Sequence, residues 1–398
     1  MESLVVGVDV SKESFSAAGL DGKGTRCLAD GFLMDLEGCE KFLKTMTDQQ
    51  PDKSAIVVGM ESTGCYHINL FSYLVSQGIQ AVVINPLLIS NFAKLALRKT
   101  KTDKKDALTI AQFVLAHKDK ISQMSISQDM QDMRDLARER ESLSQLISKT
   151  KTEIKRVLQT TFPELERICS VYTSIMLAFL QEYPSARLIR LAKPQAIAKA
   201  LEPRGRGNRI SSFTAEDIIK LAKTSIGIVS PAKEAILQGK ISTLLHLEGR
   251  RDQLTAMLTD YCTSLMVDDL EIVTSVDGIS NGTGTTFLAE VGKIENFQTH
   301  RHLIAYAGID PTVYQSGKYQ GTSRISKRGN KHLRRVLWLM TVSVIMNNET
   351  FREYYRKKKQ AGLPYNKAVM ATMHKLTRML FSMLTHKERY AASLVNCA

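Results

Sequence analysis

The chain has 398 residues, of which 43% are hydrophobic and 24% charged, a globular composition that excludes general disorder and gives length for two or three domains. Lys and Arg number 54 against 40 Asp and Glu, a formal charge of +14; the excess favours a polyanion partner, because contact with phosphates releases condensed counterions, although an acidic membrane surface would attract it too. Six cysteines with no CxxC or Cys/His spacing argue against a disulfide framework and structural zinc, and no apolar run reaches the ~18 residues of a membrane span. A reducing cytoplasm, with no signal peptide and no membrane contact, is the expected setting.

In chain order, the first 120 residues alternate strand and helix signals. Residues 4–10 (LVVGVDV) form a short valine-rich run, the pattern of a buried strand, with 14–20 as its hairpin partner. Residues 36–47 have helical periodicity. Residues 55–60 (AIVVGM) read as a second buried strand, 68–75 as a helix, 80–84 as a third buried strand ending at Asn85-Pro86, and 104–116 as a helix. Such alternation predicts an α/β layer architecture. From about residue 126 the character changes. Met133, Leu136, Leu143, Ile147, Ile154 and Val157 follow an a/d spacing, interrupted by Arg140 and Thr150, and Pro163 ends it. Ile241, Leu244, Leu245, Leu254, Met257, Leu258 and Tyr261 mark a second long amphipathic helix, so an antiparallel coiled-coil pair is expected, with a mostly helical insert at about 165–240. Residues 273–294 read as a short helix, a glycine-rich turn and another helix. A basic segment and two amphipathic helices follow, at about 331–346 and 366–386. The expected domains are 1–125, 126–268 and 269–398.

Four carboxylates stand out in the first part. Asp9 and Glu61 each end an apolar strand, where a charge is costly unless it is paired or binds a cation; strand ends are also where sites form on open α/β sheets. Asp103 and Asp106 lie three residues apart at a helix start, on one face. Together they could hold one or two magnesium ions, which suit hard oxygen ligands and can orient phosphates. Singly, each reads better as a helix cap or a turn residue; the set of four, in this strand–strand–helix order, reverses that weighing. Arg98, Lys99, Lys101, Lys104 and Lys105 surround the Asp pair and could hold a nucleic-acid backbone there.

The order strand-Asp, hairpin, strand-Glu, helix-Asp resembles the RNase H-like fold in its RuvC-like form. More closely, Gly7-Val8-Asp9-Val10-Ser11-Lys12, Glu61-Ser62-Thr63-Gly64 and Lys101-Thr102-Asp103-Lys104-Lys105-Asp106-Ala107 look like the DEDD motifs of bacterial transposases of the family typified by insertion sequence 110. Asn85-Pro86 also fits that family.

The segment 302–335, HLIAYAGIDPTVYQSGKYQGTSRISKRGNKHLRR, is the densest nucleic-acid signal. Ala307-Gly308-Ile309-Asp310-Pro311 reads as a turn. Lys318, Arg324, Lys327, Arg328, Lys331, Arg334 and Arg335 follow with no acid among them, and Gly321 and Gly329 would let backbone approach a phosphate. From the residues alone Ser316 is a loop serine without a catalytic histidine nearby, and a serine hydroxyl needs activation to be a nucleophile. The whole segment, however, is similar to the C-terminal transposase domain of the same family. That resemblance implies that Ser316 attacks DNA to form a phosphoserine intermediate. It implies that Asp9, Glu61, Asp103 and Asp106 are the Mg2+ carboxylates, working with the serine of another subunit. It further implies double-stranded DNA as substrate, a noncoding bridge RNA that base-pairs with donor and target, and homodimers that pair into tetramers. Residues 276–283 resemble a helix-hairpin-helix turn, in which a helix N-terminus binds phosphate. Asp277 and Ser280 depart from the family's Pro-Gly-Ile-Gly, and a packing hairpin would look the same.

Three rivals stand beside this reading. A hydrolytic RuvC-like metal-dependent endonuclease would use the carboxylates alone. An actin-like-fold sugar or acetate kinase would share the opening VGVDVSKESF, but lacks the further glycine-rich adenosine motifs here. A non-catalytic binder would have a decayed site, whereas all four carboxylates and the serine are in place.

Overall fold

The computed structural model describes residues 3–61, 66–84, 89, 92, 103–117, 128–202, 213–312, 315–316, 319–320 and 324–391, with backbone alone at 103–105, 128, 315–316 and 319–320. Two compact units divide the chain: Met1–Gln131 with Gly292–Gln298, and Asp132–Val291 with Thr299–Ala398.

The first unit is an α/β layer structure, as the alternating signals predict. Its mixed five-stranded sheet has the order β3-β2-β1-β4-β5, from β1 (Leu4–Val10), β2 (Ser14–Leu20), β3 (Arg26–Leu33), β4 (Ile56–Glu61) and β5 (Gln80–Ile84). β1 to β3 form an antiparallel meander; β1, β4 and β5 run parallel. Alternate side chains of a strand point to opposite faces. Val6, Val8, Val58 and Met60 bury against Phe42 and Met46 of α1 (Leu36–Gln49) and Leu70 and Leu74 of α2 (His67–Ser76). Val5 and Val57 bury on the other face against Ile110 and Val114 of α3 (Asp103–Ala116). Coverage on both faces is why β1 and β4 read as unbroken apolar runs. β3 carries no such signal: only Leu28 and Phe32 of its eight residues are buried, as befits an edge strand.

The second unit is helical. Its spine is α4 (Gln128–Thr161) and a helix of 44 residues, α9 (Pro231–Thr274). They run antiparallel, since Glu153 pairs with Lys240, Lys151 with Glu248, and Arg140 bonds to Thr255. α9 bends at Met266, whose φ of −148° is not helical. Along α4 the seam residues Met133, Leu143, Ile147 and Ile154 are buried as expected. Along α9 the buried row is Ile241, Leu244, Leu254, Leu258 and Cys262; Leu245, Met257 and Tyr261, which also mark the amphipathic helix by their spacing, are exposed. Among its described residues the insert folds as four short helices, α5 (Ser174–Glu182), α6 (Ala186–Leu191), α7 (Pro194–Ala200) and α8 (Ala215–Thr224), packed on the spine around Phe162, Phe179, Leu180 and Leu237.

The remainder of this unit is α10 (Asn281–Val291), α11 (His300–Tyr306), α12 (Lys331–Asn347), α13 (Glu349–Gln360) and α14 (Tyr365–His386), with four two-residue strands between α11 and α12. The short helix expected before the glycine-rich turn is the end of α9. α13 is mostly polar, with Phe351 its one buried residue, so periodicity gives no sign of it. Cys27, Cys39, Cys169 and Cys262 are free thiols. No helix among the described residues is long and apolar enough to cross a membrane.

Gly7 fixes how α3 lies on the sheet. A Cβ there would stand 2.2 Å from both the Ala107 carbonyl oxygen and the Ala111 amide nitrogen. Gly7→Val is therefore expected to destabilise the chain by about 1–3 kcal/mol through overpacking, read as a lower urea midpoint with α3 displaced.

Candidate active site

Strand register brings two of the carboxylates side by side. Val8 of β1 lies beside Met60 of β4, and one residue further stand Asp9 and Glu61, both half-buried. Asp9 follows Val5 and Gly7 in the alternation and Glu61 follows Val57 and Gly59, so both face the α3 side of the sheet. Neighbouring strands are ~4.8 Å apart, which makes the two carboxylates neighbours.

α3 runs antiparallel to these strands. A Cβ on Gly7 would meet Ala107, whereas one on Gly24, in the β2–β3 turn at the opposite end of the sheet, would lie 3.6 Å from Leu115. The first turn of α3 is thus at the end that carries Asp9 and Glu61. That turn begins with Asp103 and holds half-buried Asp106. A helix N-terminus adds partial positive charge at that end. Among the described residues no group of three or more His, Cys, Asp or Glu is placed to hold a metal ion; the side chain of Asp103 lies outside that description. The donors gathered here are carboxylate oxygens, which fit a hard divalent cation. Arg98, Lys99 and Lys101 lie outside the described residues, and Lys104 and Lys105 are described only as backbone in α3.

Ser316 belongs to the second unit, on a β-ribbon. β6 (Pro311–Thr312) pairs with β9 (Arg324–Ile325), and β7 (Gln315–Ser316) with β8 (Tyr319–Gln320), Ser316 opposite Tyr319. The ribbon's entry is held at every carbonyl from Tyr306 to Asp310. Tyr306 O accepts from Asn330 N at 2.6 Å, Gly308 O from Lys327 N at 3.0 Å and Asp310 O from Ser326 N at 2.9 Å. Ala307 O accepts from Arg334 Nη1 at 2.9 Å, and Ile309 O bonds His374 Nε2 at 2.9 Å. Gly308 has φ +64° and Lys327 φ +53°, the left-handed turns that let the two arms cross. A Cβ on Gly329 would stand 2.1 Å from Tyr306 O, so Gly329 serves this crossing; Gly321 and Lys318 lie outside the described residues.

A buried carboxylate anchors the ribbon's base. Glu290 is fully buried and accepts from Arg138 Nε at 2.9 Å, Arg138 Nη2 at 3.1 Å and Asn330 Nδ2 at 2.7 Å. Asn330 Oδ1 caps α12, accepting from the His332 and Leu333 amides. Beside it Glu141 takes His332 Nδ1 at 2.5 Å and Arg335 Nε at 3.0 Å. Burial works against the Arg138 charge, but the Glu290 bond outweighs it and holds the guanidinium above its ordinary value. Sequence reading passed over Glu290, although a charge inside the apolar run FLAEV is the same signal that singled out Glu61. Of the basic residues expected at nucleic acid, Arg324, Lys327, Arg328 and Lys331 are exposed, Arg334 is engaged with Ala307, and Arg335 is paired with Glu141.

The glycine-rich turn between α9 and α10 packs. Gly278 has φ +98°, and a Cβ there would stand 2.8 Å from the Ser343 carbonyl of α12. Gly282 at the start of α10 lies under Arg140, whose guanidinium bonds Thr255 and Thr286. The polar interruption of the α4 seam is thus what ties α4 to α9 and α10.

Residues 6–163 match the DEDD transposase model of the IS110 type, and residues 270–356 match the model described as the IS116/IS110/IS902 transposase family. The chain belongs to the IS110 family of transposases. It is an enzyme acting on DNA. An IS110 insertion-element protein of 43.6 kDa from Streptomyces coelicolor is 21% identical over 96% of this chain and 94% of its own length. The pilin gene-inverting protein of Moraxella bovis is 20% identical over 96% of each chain. The transposase for insertion sequence element IS1111A of Coxiella burnetii is 28% identical over 43% of this chain and 47% of its own. Membership of a DEDD family suggests a divalent metal, in keeping with the carboxylate oxygens at the sheet end.

Two outcomes follow from the ribbon base. Glu290→Ala leaves the half-exposed Arg138 and the Asn330 Nδ2 without their acceptor and is expected to cost about 1–3 kcal/mol, read by urea denaturation. Burial depresses His374 below its ordinary 6.5, with Arg378 adding to the effect and the Ile309 carbonyl and Asp310 opposing it. Its contribution to stability is complete above pH 6.5 and is lost as pH falls through the depressed folded value. Melting temperature should fall between about pH 7 and pH 5, and less so in His374→Gln; burial depresses His67 and His300 in the same direction and leaves a remainder.

Proposed function

We propose that this transposase excises and inserts its element by site-specific strand exchange through a covalent serine–DNA intermediate. Ser316 Oγ attacks a backbone phosphorus, the Oγ–P bond forms and the P–O3′ bond breaks. The hydroxyl proton leaves the serine and the departing 3′ oxygen gains one. A free 3′-hydroxyl of the exchanged strand then attacks the phosphoserine, restoring the diester and the serine without ATP. Exposed Arg324, Lys327, Arg328 and Lys331 hold the DNA backbone beside the ribbon. Asp9, Glu61, Asp103 and Asp106 are the residues that would hold magnesium; bound there, it stabilises negative charge on phosphate oxygens.

The observation that carries this reading is the meeting of Asp9, Glu61 and the first turn of α3 at one sheet end, in a DEDD-family chain whose second unit carries Ser316 on a β-ribbon anchored at its base. The meander β1–β3 followed by parallel β4 and β5 supports an RNase H-like, RuvC-like first domain, and the antiparallel spine supports a coiled coil. To the same reading belong domains at 1–125, 126–268 and 269–398, a noncoding bridge RNA that selects DNA by pairing, and a dimer that assembles to a tetramer. The basic composition and the 7% of aromatic residues suit contact with backbone and shape while base pairing reads sequence.

The test is covalent trapping. Protein, RNA from the element end, magnesium and a labelled DNA junction are mixed, then denatured, and DNA attached to protein is measured. Wild type should give an adduct that Ser316→Ala abolishes and Asp9→Ala reduces at least a hundredfold, about 3 kcal/mol of transition-state stabilisation. Cleavage without an adduct, unchanged in Ser316→Ala, would leave a metal-dependent nuclease.

A further inference from the structure

The ribbon that carries Ser316 leaves the helices from one narrow base. Its two arms come from α11 and α12, and both helices pack against α14. Within the base the arms hold each other. Gly308 O and Asp310 O turn toward the returning arm, accepting from Lys327 N and Ser326 N. Ser326 Oγ adds a bond of 2.5 Å to Asp310 Oδ1, and Thr312 Oγ1 donates to the Arg324 carbonyl at 2.8 Å. The arms are thus one piece as far as β6 and β9. The carbonyl between Gly308 and Asp310 goes elsewhere. Ile309 O meets His374 Nε2 of α14 at 2.9 Å. A carbonyl only accepts, so Nε2 carries the hydrogen. This bond ties the base to a helix outside the two arms. Ile309 is also fully buried. Its apolar contact has no preferred direction, whereas a hydrogen bond weakens as its angle opens. Burial therefore fixes where the base sits, and the His374 bond fixes how it is turned. Ser316 lies seven residues beyond Ile309, up to about 23 Å of chain. A small turn at the base moves the serine by more than an attack geometry tolerates, since a misplacement of about 1 Å costs on the order of a hundredfold in rate.

We propose that His374 is a positioning residue for strand exchange: through Ile309 O, with the Asp310–Ser326 bond beside it, it sets the angle at which the ribbon leaves the helices and so presents Ser316 to the phosphate. The proposal rests on Ser316 as the nucleophile. His374 acts through Ile309 and touches no reacting atom. A buried donor that only satisfied a carbonyl would affect folding alone; a donor that aims the ribbon affects the rate of molecules already folded. A glutamine amide can donate to the same carbonyl and a leucine cannot, so the two substitutions separate the bond from the packing.

The test follows the serine–DNA adduct in single turnover, with the full chain, the RNA, magnesium and the labelled junction described above, over a range of DNA concentrations. Melting temperature is recorded for every variant. His374→Leu should form the adduct about tenfold or more slowly at saturating DNA, with half-saturation within about twofold of wild type. His374→Gln should restore the rate to within about threefold. Ser326→Ala, which loosens the base from the returning arm, should show the same split between slow adduct and ordinary half-saturation. If His374→Leu loses its cooperative melt, Ser326→Ala decides alone. Wild-type rates in the folded variants overturn the proposal, as does a His374→Gln rate no better than that of His374→Leu. Ser316→Ala is run beside them. Cleavage without an adduct in wild type, unchanged in Ser316→Ala, removes the serine reading and this proposal with it. An adduct that Ser316→Ala abolishes and the other variants form at full rate removes this proposal alone.

Discussion

The second unit is organised around one buried charge. Glu290 has no access to water, and a carboxylate taken out of water must be matched by donors or it destabilises the fold by several kcal/mol. Arg138 supplies two of those donors from α4, and Asn330 supplies the third from the start of α12. The carboxylate therefore joins the long spine to the exact place where the serine ribbon returns to helix. Its neighbours extend the join: Arg134 reaches the Ala289 carbonyl, and Glu141 holds His332 and Arg335. One carboxylate thus holds α4, α10 and the start of α12 to each other.

The first unit depends on an opposite device, the absence of side chains. Gly7 and Gly59 leave two bare positions on the α3 face of β1 and β4: the α3 backbone at Ala107 and Ala111 settles directly against Gly7, and the Val114 and Ile110 side chains fill the space over Gly59. The next residue on that face of each strand is an acid. Close approach of the helix and the gathering of carboxylates at its N-terminus thus come from one alternation, small then charged, along two parallel strands.

Much of this was legible in the chain because burial on both faces leaves a loud pattern. The strands at β1, β4 and β5, the helix carrying Asp103 and Asp106, and the two long helices of the spine stand where apolar runs and helical periodicity indicate. Silent elements share a physical cause. β3 buries two of eight residues at a sheet edge, and α13 buries only Phe351, so neither needs an apolar stripe. Leu245, Met257 and Tyr261 share the helical spacing of α9 yet lie exposed beside its buried row of Ile241, Leu244, Leu254 and Leu258, because periodicity states that a stripe exists without saying how wide the covered part is. Gly329 shows the same ambiguity at a single residue: an invitation to a phosphate and a crossing of two backbones look identical in sequence. Ser316 has no local signature at all; the role proposed for it rests on a whole segment's resemblance.

Asn330 has a role that few side chains could share. Its oxygen faces the amides of α12 while its nitrogen faces a fully buried carboxylate, so the position calls for an acceptor and a donor on one short arm. Aspartate would keep the cap but set two negative charges against each other, serine is too short to serve both partners, and glutamine would move the cap by a methylene. The alphabet of amino acids thus leaves the site one spelling that meets both partners at once.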